Sequence, residues 1–255
     1  MVESLRDKIK AGQNVTGIMV QDFACSALVA LLADCGFDFI VIDQEHGPPS
    51  NQDLEDVVIA ARNLDLAVIV RVTKNAYEFI ARVLDMGADG VMIPHVDTVE
   101  EAKRVMDCVK YPPAGNRSHG MRQYLSKFGP FASSAEYIKT ANEKTTIFLQ
   151  AESTEFINNM DAILSDSWVD GIIVGPSDFT MSLGIIGQYE DEQFVEKLDT
   201  ILQSCKDHGK HFGIHLSKMP LMEVWKDKGM NILLFSSVSN LLHEKAAEIL
   251  AKLKV

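Results

Sequence analysis

Eight short apolar runs recur along the whole chain, and their number restricts the fold more than any other feature. They are VTGIMV from residue 15, FDFIVID from 37, LAVIVRV from 66, GVMIPHV from 90, TIFLQAE from 146, GIIVGPSD from 171, FGIHLS from 212 and NILLFSS from 231. Most of them are nearly continuous in hydrophobicity, which is typical of strands covered on both faces of a parallel sheet. The pattern therefore predicts eight buried parallel strands.

Amphipathic segments separate the apolar runs. Their apolar residues recur at spacings of three and four, as at Leu54, Val57 and Val58, and this spacing predicts helices. Ser50 and the Thr98–Glu101 pair predict N-terminal helix caps. Four of the helices end at a glycine that leads into the next strand, where a left-handed residue is expected: Gly36, Gly87, Gly209 and Gly229.

An alternation of eight strands with about eight helices has two common solutions, the closed barrel and the open doubly wound sheet. No GxGxxG or GxxxxGK[ST] motif follows the first run, which argues against the open sheets that bind nucleotides. The length of 255 residues suits one barrel. We predict a single α/β domain over residues 1–255, a (β/α)₈ TIM barrel with an N-terminal helix. A C-terminal helix over residues 241–253 packs on its own barrel or is exchanged between subunits, and the sequence leaves this choice open.

Charge and segment composition exclude some partners. The net charge of −12 argues against nucleic acid and acidic membrane surfaces, because binding to them needs clustered Lys and Arg. The first ten residues, MVESLRDKIK, lack the apolar core of a secretory signal, and no apolar run approaches the roughly 18 residues of a membrane helix. We therefore expect a cytoplasmic enzyme with no nucleic-acid or membrane partner.

Acidic side chains follow two neighbouring apolar runs at the point where the strands should end. Glu152 ends the fifth run and Asp178 follows the sixth. Barrel active sites form at the carboxyl ends of the strands, and neighbouring strands lie about 5 Å apart, so the two carboxylates can converge on one ion. A hard divalent cation such as Mg²⁺ or Mn²⁺ is usually held by one or two carboxylates. The alternative is that each carboxylate caps the helix that follows.

Arg71 lies inside an otherwise apolar run. An unpaired guanidinium would be costly there, so we expect Arg71 to meet an anion at the barrel mouth. The anion is either a structural carboxylate or a substrate oxygen that becomes an enolate, whose charge a fixed cation stabilises.

Asp43 and His46 lie three residues apart in the turn after the second run. At this spacing the carboxylate can hold one imidazole nitrogen and raise the basicity of the other. The pair would then form a proton-transfer dyad, and a structural role for the histidine is the alternative.

Six segments together resemble the HpcH/HpaI aldolase family of class II pyruvate aldolases. They are DQEHGP, the arginine-containing VRV, MGADGVMIPHVDTVEEA, YPPAGNR, LQAES and VDGIIVGPSDF, and their order and spacing match over nearly the whole chain. Members of this family include aldolases for 4-hydroxy-2-oxo diacids and for 2-keto-3-deoxy sugar acids. The family fold is a (β/α)₈ barrel, as the strand count also predicts.

The resemblance implies an activity, a cofactor and an assembly. The activity is that of an aldehyde-lyase, which reversibly cleaves a 4-hydroxy-2-oxo acid to pyruvate and an aldehyde through a metal-bound pyruvate enolate. The cofactor is a divalent metal ion, Mg²⁺, Mn²⁺ or Co²⁺. The partners are the small-molecule 2-oxo acid and aldehyde, and the assembly is a homo-hexamer built as a trimer of dimers.

The resemblance also implies roles for individual residues. Glu152 and Asp178 bind the metal, Arg71 stabilises the enolate, and His46 with Asp43 moves protons at the aldol hydroxyl. Asp85 approaches the site of a neighbouring subunit. The resemblance implies substrate binding by Gln150 and by the turn of Gly175, Pro176 and Ser177. We add His215 to these residues because it ends the seventh run, at the barrel mouth.

The chain departs from the family pattern at four places. These are Gln44, residues 116–119 (NRSH), His215 in Gly-Ile-His, and residues 236–238 (SSV). The departures leave the metal and enolate residues intact and leave the aldehyde open. Two alternatives stay open as well. One is a related enolate-forming lyase, either a CoA-ester lyase or a decarboxylating enzyme that forms carbon–carbon bonds, and the other is a non-catalytic barrel that binds a 2-oxo acid.

Overall fold

The computed structural model describes residues 3–120, 122–165 and 168–254. Eight parallel strands close into a barrel, in which each strand pairs with the next along the chain and the last pairs with the first. The closed barrel confirms the predicted α/β barrel class. The strands are β1 Val15–Val20, β2 Phe39–Asp43, β3 Ala67–Arg71, β4 Gly90–Ile93, β5 Thr146–Ala151, β6 Gly171–Val174, β7 His211–Leu216 and β8 Ile232–Ser237.

The first helix precedes the first strand, and the other helices follow the strands and cover the outside of the barrel. They are α1 Leu5–Lys10, α2 Ser26–Asp34, α3 Asn51–Ala61, α4 Tyr77–Asp85, α5 Val99–Val109, α6 Ser134–Lys144, α7 Thr154–Leu164, α8 Pro176–Ser182, α9 Glu192–Asp207, α10 Met219–Lys228 and α11 Val238–Leu253. The long insertion between α5 and α6 holds one short 3₁₀ turn, Gln123–Leu125. None of the helices in the described part of the chain is long and apolar enough to cross a membrane.

Local sequence signals begin and end these helices as predicted. Ser50 caps α3, and Thr98 caps α5 in a reciprocal arrangement with Glu101. The four glycines predicted to end helices all have positive φ, with Gly229 at 108° as the C-cap of α10. Only glycine adopts this conformation without strain, so the chain can turn sharply there into the next strand.

The strands separate two apolar layers. One layer lies between the barrel and its helices, and it includes Ile40, Ile42 and Val70. The other layer fills the barrel interior, and it includes Phe39, Val41 and Ile69. This alternation follows from the pleat, because successive side chains on a strand point to opposite faces.

The N-terminal helix α1 closes the bottom of the barrel. Leu5 and Ile9 belong to the interior layer, so the apolar face of α1 continues the core beyond the strand starts. Buried Arg6 donates from Nε to Asp170 Oδ1 at 2.7 Å, and Lys8 Nζ lies 3.0 Å from Asp38 Oδ1. The opposite end of the barrel, where the strands end, is therefore the open mouth.

The C-terminal helix α11 begins three residues earlier than predicted, at Val238. None of its 16 residues is buried, although it carries several apolar side chains. Leu242, Ile249, Leu250 and Leu253 are all exposed.

Candidate active site

The strand pleat directs a set of polar side chains into the barrel mouth. Phe39 and Val41 fill the interior, and the next residue of the same parity on β2 is Asp43. On β3, Ala67 and Ile69 precede Arg71 in the same way. Two apolar layers thus lie below one polar layer at the carboxyl ends of the strands, where barrel enzymes bind their substrates. Gln150 on β5, His215 on β7 and Ser236 on β8 continue these inward-facing rows.

Arg71 and Asp43 form a buried, two-pronged ion pair. They are direct partners in the register between β2 and β3. Arg71 Nε donates to Asp43 Oδ1 at 2.9 Å and its Nη2 donates to Oδ2 at 2.6 Å. Burial by itself would raise the pKa of the Asp43 carboxyl, but the hydrogen bonds and charge of Arg71 bring it below its usual value. Arg71 therefore has a structural carboxylate as its partner, which was one of the two expected alternatives.

Glu45 continues this charged network across the mouth. Its buried carboxylate lies 3.3 Å from Arg71 Nη1 through Oε2 and 3.2 Å from His95 Nε2 through Oε1. The other ring nitrogen of His95, Nδ1, lies 3.3 Å from Glu152 Oε2. A continuous row of alternating charges and donors thus connects the ends of β2, β3, β4 and β5.

Glu152 is the most electrostatically perturbed group of this network. Burial raises its pKa to about 7, the charge of His95 opposes this shift, and the negative charges of Glu45 and Asp178 add to it. Each of these three carboxylates makes ionisation of the others less favourable, so the cluster has a local deficit of positive charge. A bound cation would relieve this deficit, so the donors present fit a hard divalent ion.

The predicted metal ligands lie as follows. Glu152 directly follows β5, and Asp178 lies in the first turn of α8, near enough for its charge to act on Glu152. The capping alternative is not observed, since Ser153 caps α7 and no side chain caps α8. Within residues 3–120, 122–165 and 168–254, no three His, Cys, Asp or Glu side chains already converge on one ion position.

Gln150 and Gly175 shape the floor around Glu152. Gln150 Nε2 donates a very short hydrogen bond to Glu152 Oε1, whereas Gln150 Oε1 is buried without a hydrogen-bond partner. A Cβ atom on Gly175 would lie 2.9 Å from Gln150 Nε2 and 3.0 Å from Glu152 Oε1. A residue larger than glycine would displace the carboxylate, so Gly175 permits this close approach.

The contacts of His46 differ from the predicted dyad. Asp43 receives the backbone N–H of His46 at 3.2 Å, but its two oxygens are committed to Arg71 rather than to the imidazole. The His46 side chain is 63% exposed, and its Nε2 lies 3.8 Å from Glu45 Oε2. The physical reason is that the stronger, bidentate guanidinium pair takes the Asp43 carboxylate. The role of His46 in proton transfer stays a prediction.

The remaining predicted residues lie on either side of the mouth. His215 Nε2 lies 3.1 Å from the carbonyl oxygen of Ser236. Burial lowers the pKa of the His215 ring, the hydrogen bond to Ser236 opposes this shift, and the charge of Arg71 adds to it. Ser177 is exposed, with its Oγ 3.2 Å from the Tyr189 hydroxyl, and the preceding Pro176 opens α8.

Asp85 lies away from the mouth of its own barrel. It ends α4, whose carboxyl end lies at the bottom of the barrel because the helices run antiparallel to the strands, and it pairs with Arg117 at 2.5 Å. Its predicted approach to a neighbouring subunit's site therefore stays a prediction.

Two mouth residues, Glu45 and His95, were missed as site residues. Both were visible in the sequence, because Glu45 belongs to the turn after the second run and His95 is the last polar residue of the fourth run, GVMIPHV. His95 also has a φ of 54°, which is uncommon outside glycine and concentrates at functional sites. A search for polar residues at the end of every run would have included it.

Comparisons with known proteins identify the family of this chain. The model of the HpcH/HpaI aldolase/citrate lyase family matches residues 23–233. A hydroxypyruvate/pyruvate aldolase of Roseovarius nubinhibens is 30% identical over 230 residues, which cover 90% of this chain and 89% of that protein. A 5-keto-4-deoxy-D-glucarate aldolase of Citrobacter koseri is 35% identical over 184 residues, covering 72% of this chain and 70% of that protein.

Solved structures point in the same direction. An HpcH/HpaI aldolase from Desulfitobacterium hafniense DCB-2 superposes with a TM-score of 0.93 at 29% identity, covering 99% of this chain and 97% of that one. The family match spans six of the eight strands completely, β2 to β7, and all the mouth residues described above except Ser236. This chain belongs to the HpcH/HpaI aldolase/citrate lyase family and is an enzyme of the lyase class.

Proposed function

We propose that this enzyme reversibly cleaves a 4-hydroxy-2-oxo acid to pyruvate and an aldehyde, with a divalent cation, Mg²⁺, Mn²⁺ or Co²⁺, held by Glu152 and Asp178. One observation carries the proposal. Glu152 is buried at the mouth beside two further carboxylates, which raise its pKa to about 7 together with burial. A cation stabilises such a cluster of carboxylates. The guanidinium of Arg71 lies in the same mouth, near enough for the charges of Arg71 and Glu152 to interact.

In this mechanism the C3–C4 bond of the substrate breaks, and its electron pair moves onto the enolate of pyruvate. The bound cation supplies Lewis-acid polarisation of the carbonyl oxygen. Arg71 faces the oxygen that gains charge, and Asp43 holds the plane of the guanidinium through two hydrogen bonds. A fixed cation of this kind needs no reorganisation as the charge develops.

His46 is proposed to take the proton of the C4 hydroxyl, so that the aldehyde can leave. Its ring is exposed at the mouth and lies 3.8 Å from the Glu45 carboxylate, which can orient it in place of Asp43. The exposed position supports proton exchange with solvent, because the base must be regenerated after each turnover. C3 of the enolate then takes up a proton to give pyruvate.

Further residues are proposed to hold the substrate. Gln150 lies beside Glu152 and has a buried, unpaired Oε1, while the turn of Gly175, Pro176 and Ser177 lies next to it at the start of α8. This turn is proposed to receive the carboxylate of pyruvate, and His215, which is near enough for the charge of Arg71 to act on its ring, is proposed to line the same pocket. The names of the relatives, hydroxypyruvate/pyruvate aldolase and 5-keto-4-deoxy-D-glucarate aldolase, support oxygenated keto acids as substrates.

A screen for pyruvate release tests the proposal. The enzyme is incubated with 4-hydroxy-2-oxo acids of different length and charge, with EDTA and after addition of Mg²⁺, Mn²⁺ or Co²⁺. We expect cleavage that needs metal and that is lost in Glu152→Gln but retained in Glu155→Gln, an exposed residue of α7. Full activity after metal removal contradicts the mechanism. In parallel incubations with a 3-hydroxyacyl-CoA ester and with a 2-oxo acid that carries a carboxyl group on C3, release of acetyl-CoA or of CO₂ would favour the related enolate-forming lyases.

We also propose that residues 1–255 form one aldolase domain that assembles into a hexamer as a trimer of dimers, with α11 exchanged between subunits. The absence of any buried residue along the 16 residues of α11 supports a helix that is covered by a second copy of the chain. In this assembly Asp85 is proposed to approach a neighbouring site. A cytoplasmic location stays a prediction from the sequence.

A further inference from the structure

His95 is a mouth residue with an unusual backbone and two carboxylate contacts. It follows β4 with a φ of 54°, and this left-handed turn directs its side chain towards the ends of β2 and β5. The side chain is 69% exposed, so neither packing nor an apolar pocket explains its position. A residue other than glycine keeps this strained conformation only when the surrounding structure holds it there, and such residues concentrate at functional sites.

We propose that His95 supplies a nitrogen ligand, through Nδ1, to the divalent cation of this site, and that Glu45 orients the imidazole for that role. The inference rests on the proposed function, because it places a third protein group beside Glu152. It adds a residue from β4 to a metal site otherwise assigned to the ends of β5 and β6.

The carboxylate that lies beside Nε2 supports the role of Nδ1. Imidazoles that bind metals usually donate their other N–H to a carboxylate, which fixes the tautomer and the orientation of the ring. Glu45 Oε1 lies 3.2 Å from His95 Nε2, and the Glu45 carboxylate is held in turn by Arg71 Nη1 at 3.3 Å. With the proton on Nε2, the lone pair of Nδ1 is free for a cation.

The spacing of the donor atoms supports the same role. Two ligands at right angles, each about 2.1 Å from an ion, lie about 3.0 Å apart. His95 Nδ1 and Glu152 Oε2 are 3.3 Å apart, so one ion between them needs only a small adjustment. These two atoms are a starting pair, since three converging side chains are not found in the part of the chain that the structure describes.

A nitrogen ligand changes which ions the site prefers. Mg²⁺ is bound mainly by oxygen, whereas imidazole suits first-row transition metals, whose affinity for a given site rises from Mn²⁺ through Co²⁺ and Ni²⁺ to Cu²⁺. His95 should therefore raise the affinity for Co²⁺ and Mn²⁺ more than the affinity for Mg²⁺. The ratio of these affinities is a property of the metal site itself and does not depend on turnover.

The test compares the wild-type enzyme with His95→Asn in metal-binding experiments. Asparagine tolerates a positive φ, so the backbone can be kept while the imidazole is lost. Calorimetry measures the Kd of Co²⁺, Mn²⁺ and Mg²⁺, and electron spin echo modulation of bound Mn²⁺ detects a coordinated imidazole nitrogen. His243→Asn, an exposed position on α11, is the matched control, and circular dichroism verifies the fold of each variant.

We expect His95→Asn to raise the Kd of Co²⁺ on the order of 10- to 100-fold, to raise that of Mg²⁺ less, and to abolish the nitrogen modulation. An unchanged Co²⁺ affinity, or retained nitrogen modulation, would overturn the inference. Tighter binding would also overturn it, because His95 would then compete with the ion for Glu152. Failure of the metal site as a whole has a different signature, namely no saturable Mn²⁺ binding by the wild-type enzyme.

Discussion

Replacement of Arg71 by methionine separates its structural role from its proposed catalytic role. Arg71 is 7% exposed and its partner Asp43 is 0% exposed. Methionine has a similar length but no charge, so Arg71→Met leaves the Asp43 carboxylate buried without its bidentate partner. Breaking a buried ion pair from one side costs about 3–5 kcal/mol, which is a large part of the roughly 5–15 kcal/mol that stabilises a folded protein. Loss of activity in this variant alone would therefore have two explanations.

The double variant Asp43→Asn/Arg71→Met resolves them. Asparagine keeps an oxygen for the backbone N–H groups of Glu45 and His46, which lie 3.0 and 3.2 Å from Asp43 Oδ1, and it removes the unpaired charge. We expect urea unfolding at neutral pH to show recovery of at least about 1 kcal/mol relative to the single variant, within the usual range of coupling energies. Pyruvate release should stay near background in both variants, because the enolate has lost its guanidinium.

The pH dependence provides an independent check with a defined sign. The pKa of Asp43 is lowered in the folded wild-type protein, so its pair with Arg71 adds stability above the unfolded pKa and loses it as pH falls through the folded pKa. In Arg71→Met, burial without the guanidinium raises that pKa and places a penalty on the folded state at neutral pH. The difference between the two proteins should thus be smaller near pH 5 than near pH 7. Single and double variants as stable as the wild type, or Arg71→Met with wild-type activity, would refute the reasoning.

Glu152, Gly175 and α11 each provide a further test. Burial and neighbouring carboxylates raise the pKa of Glu152 to about 7, so protons should compete with Mn²⁺ for this carboxylate and the Mn²⁺ affinity should weaken as pH falls through about 7. Calorimetry at several pH values measures this change, and an affinity that does not depend on pH would contradict it. Gly175→Ala should lower kcat on the order of 10- to 100-fold with little change in the urea midpoint, because its Cβ would lie 3.0 Å from Glu152 Oε1. Leu250→Glu with Leu253→Glu on exposed α11 should reduce the assembly mass in light scattering, and an unchanged mass contradicts the exchanged helix.

Most of the fold was predictable because it depends on local patterns. The eight apolar runs are long, and their hydrophobic continuity reports burial on both faces, so all eight strands lie where the runs predicted them. The caps at Ser50 and Thr98 are also local signals, since each is satisfied within its own first turn. The start of α11 was placed three residues late because β8 ends at Ser237 and the helix begins at the next residue, so no loop marks the boundary.

The candidate site was predictable in part of its membership but not in its pairing. Asp43, Arg71 and Glu152 could be placed at the mouth because strand ends and parity bring them there. The register between strands and the competition among several hydrogen-bond donors decide which carboxylate pairs with Arg71. The sequence pattern of a single strand contains neither kind of information. Asp43 therefore pairs with Arg71 instead of the His46 ring, and Glu45 takes the position that contacts both histidines.

Helix α1 closes the base of the barrel, so the mouth is its one opening. Substrate entry, product exit and exchange of the ion must all use the mouth, so an occupied mouth blocks every route at once. A shortened protein that begins after residue 11 would also expose interior side chains such as Phe148 to water and leave the buried Asp170 without Arg6. Removal of α1 would therefore open the barrel at both ends.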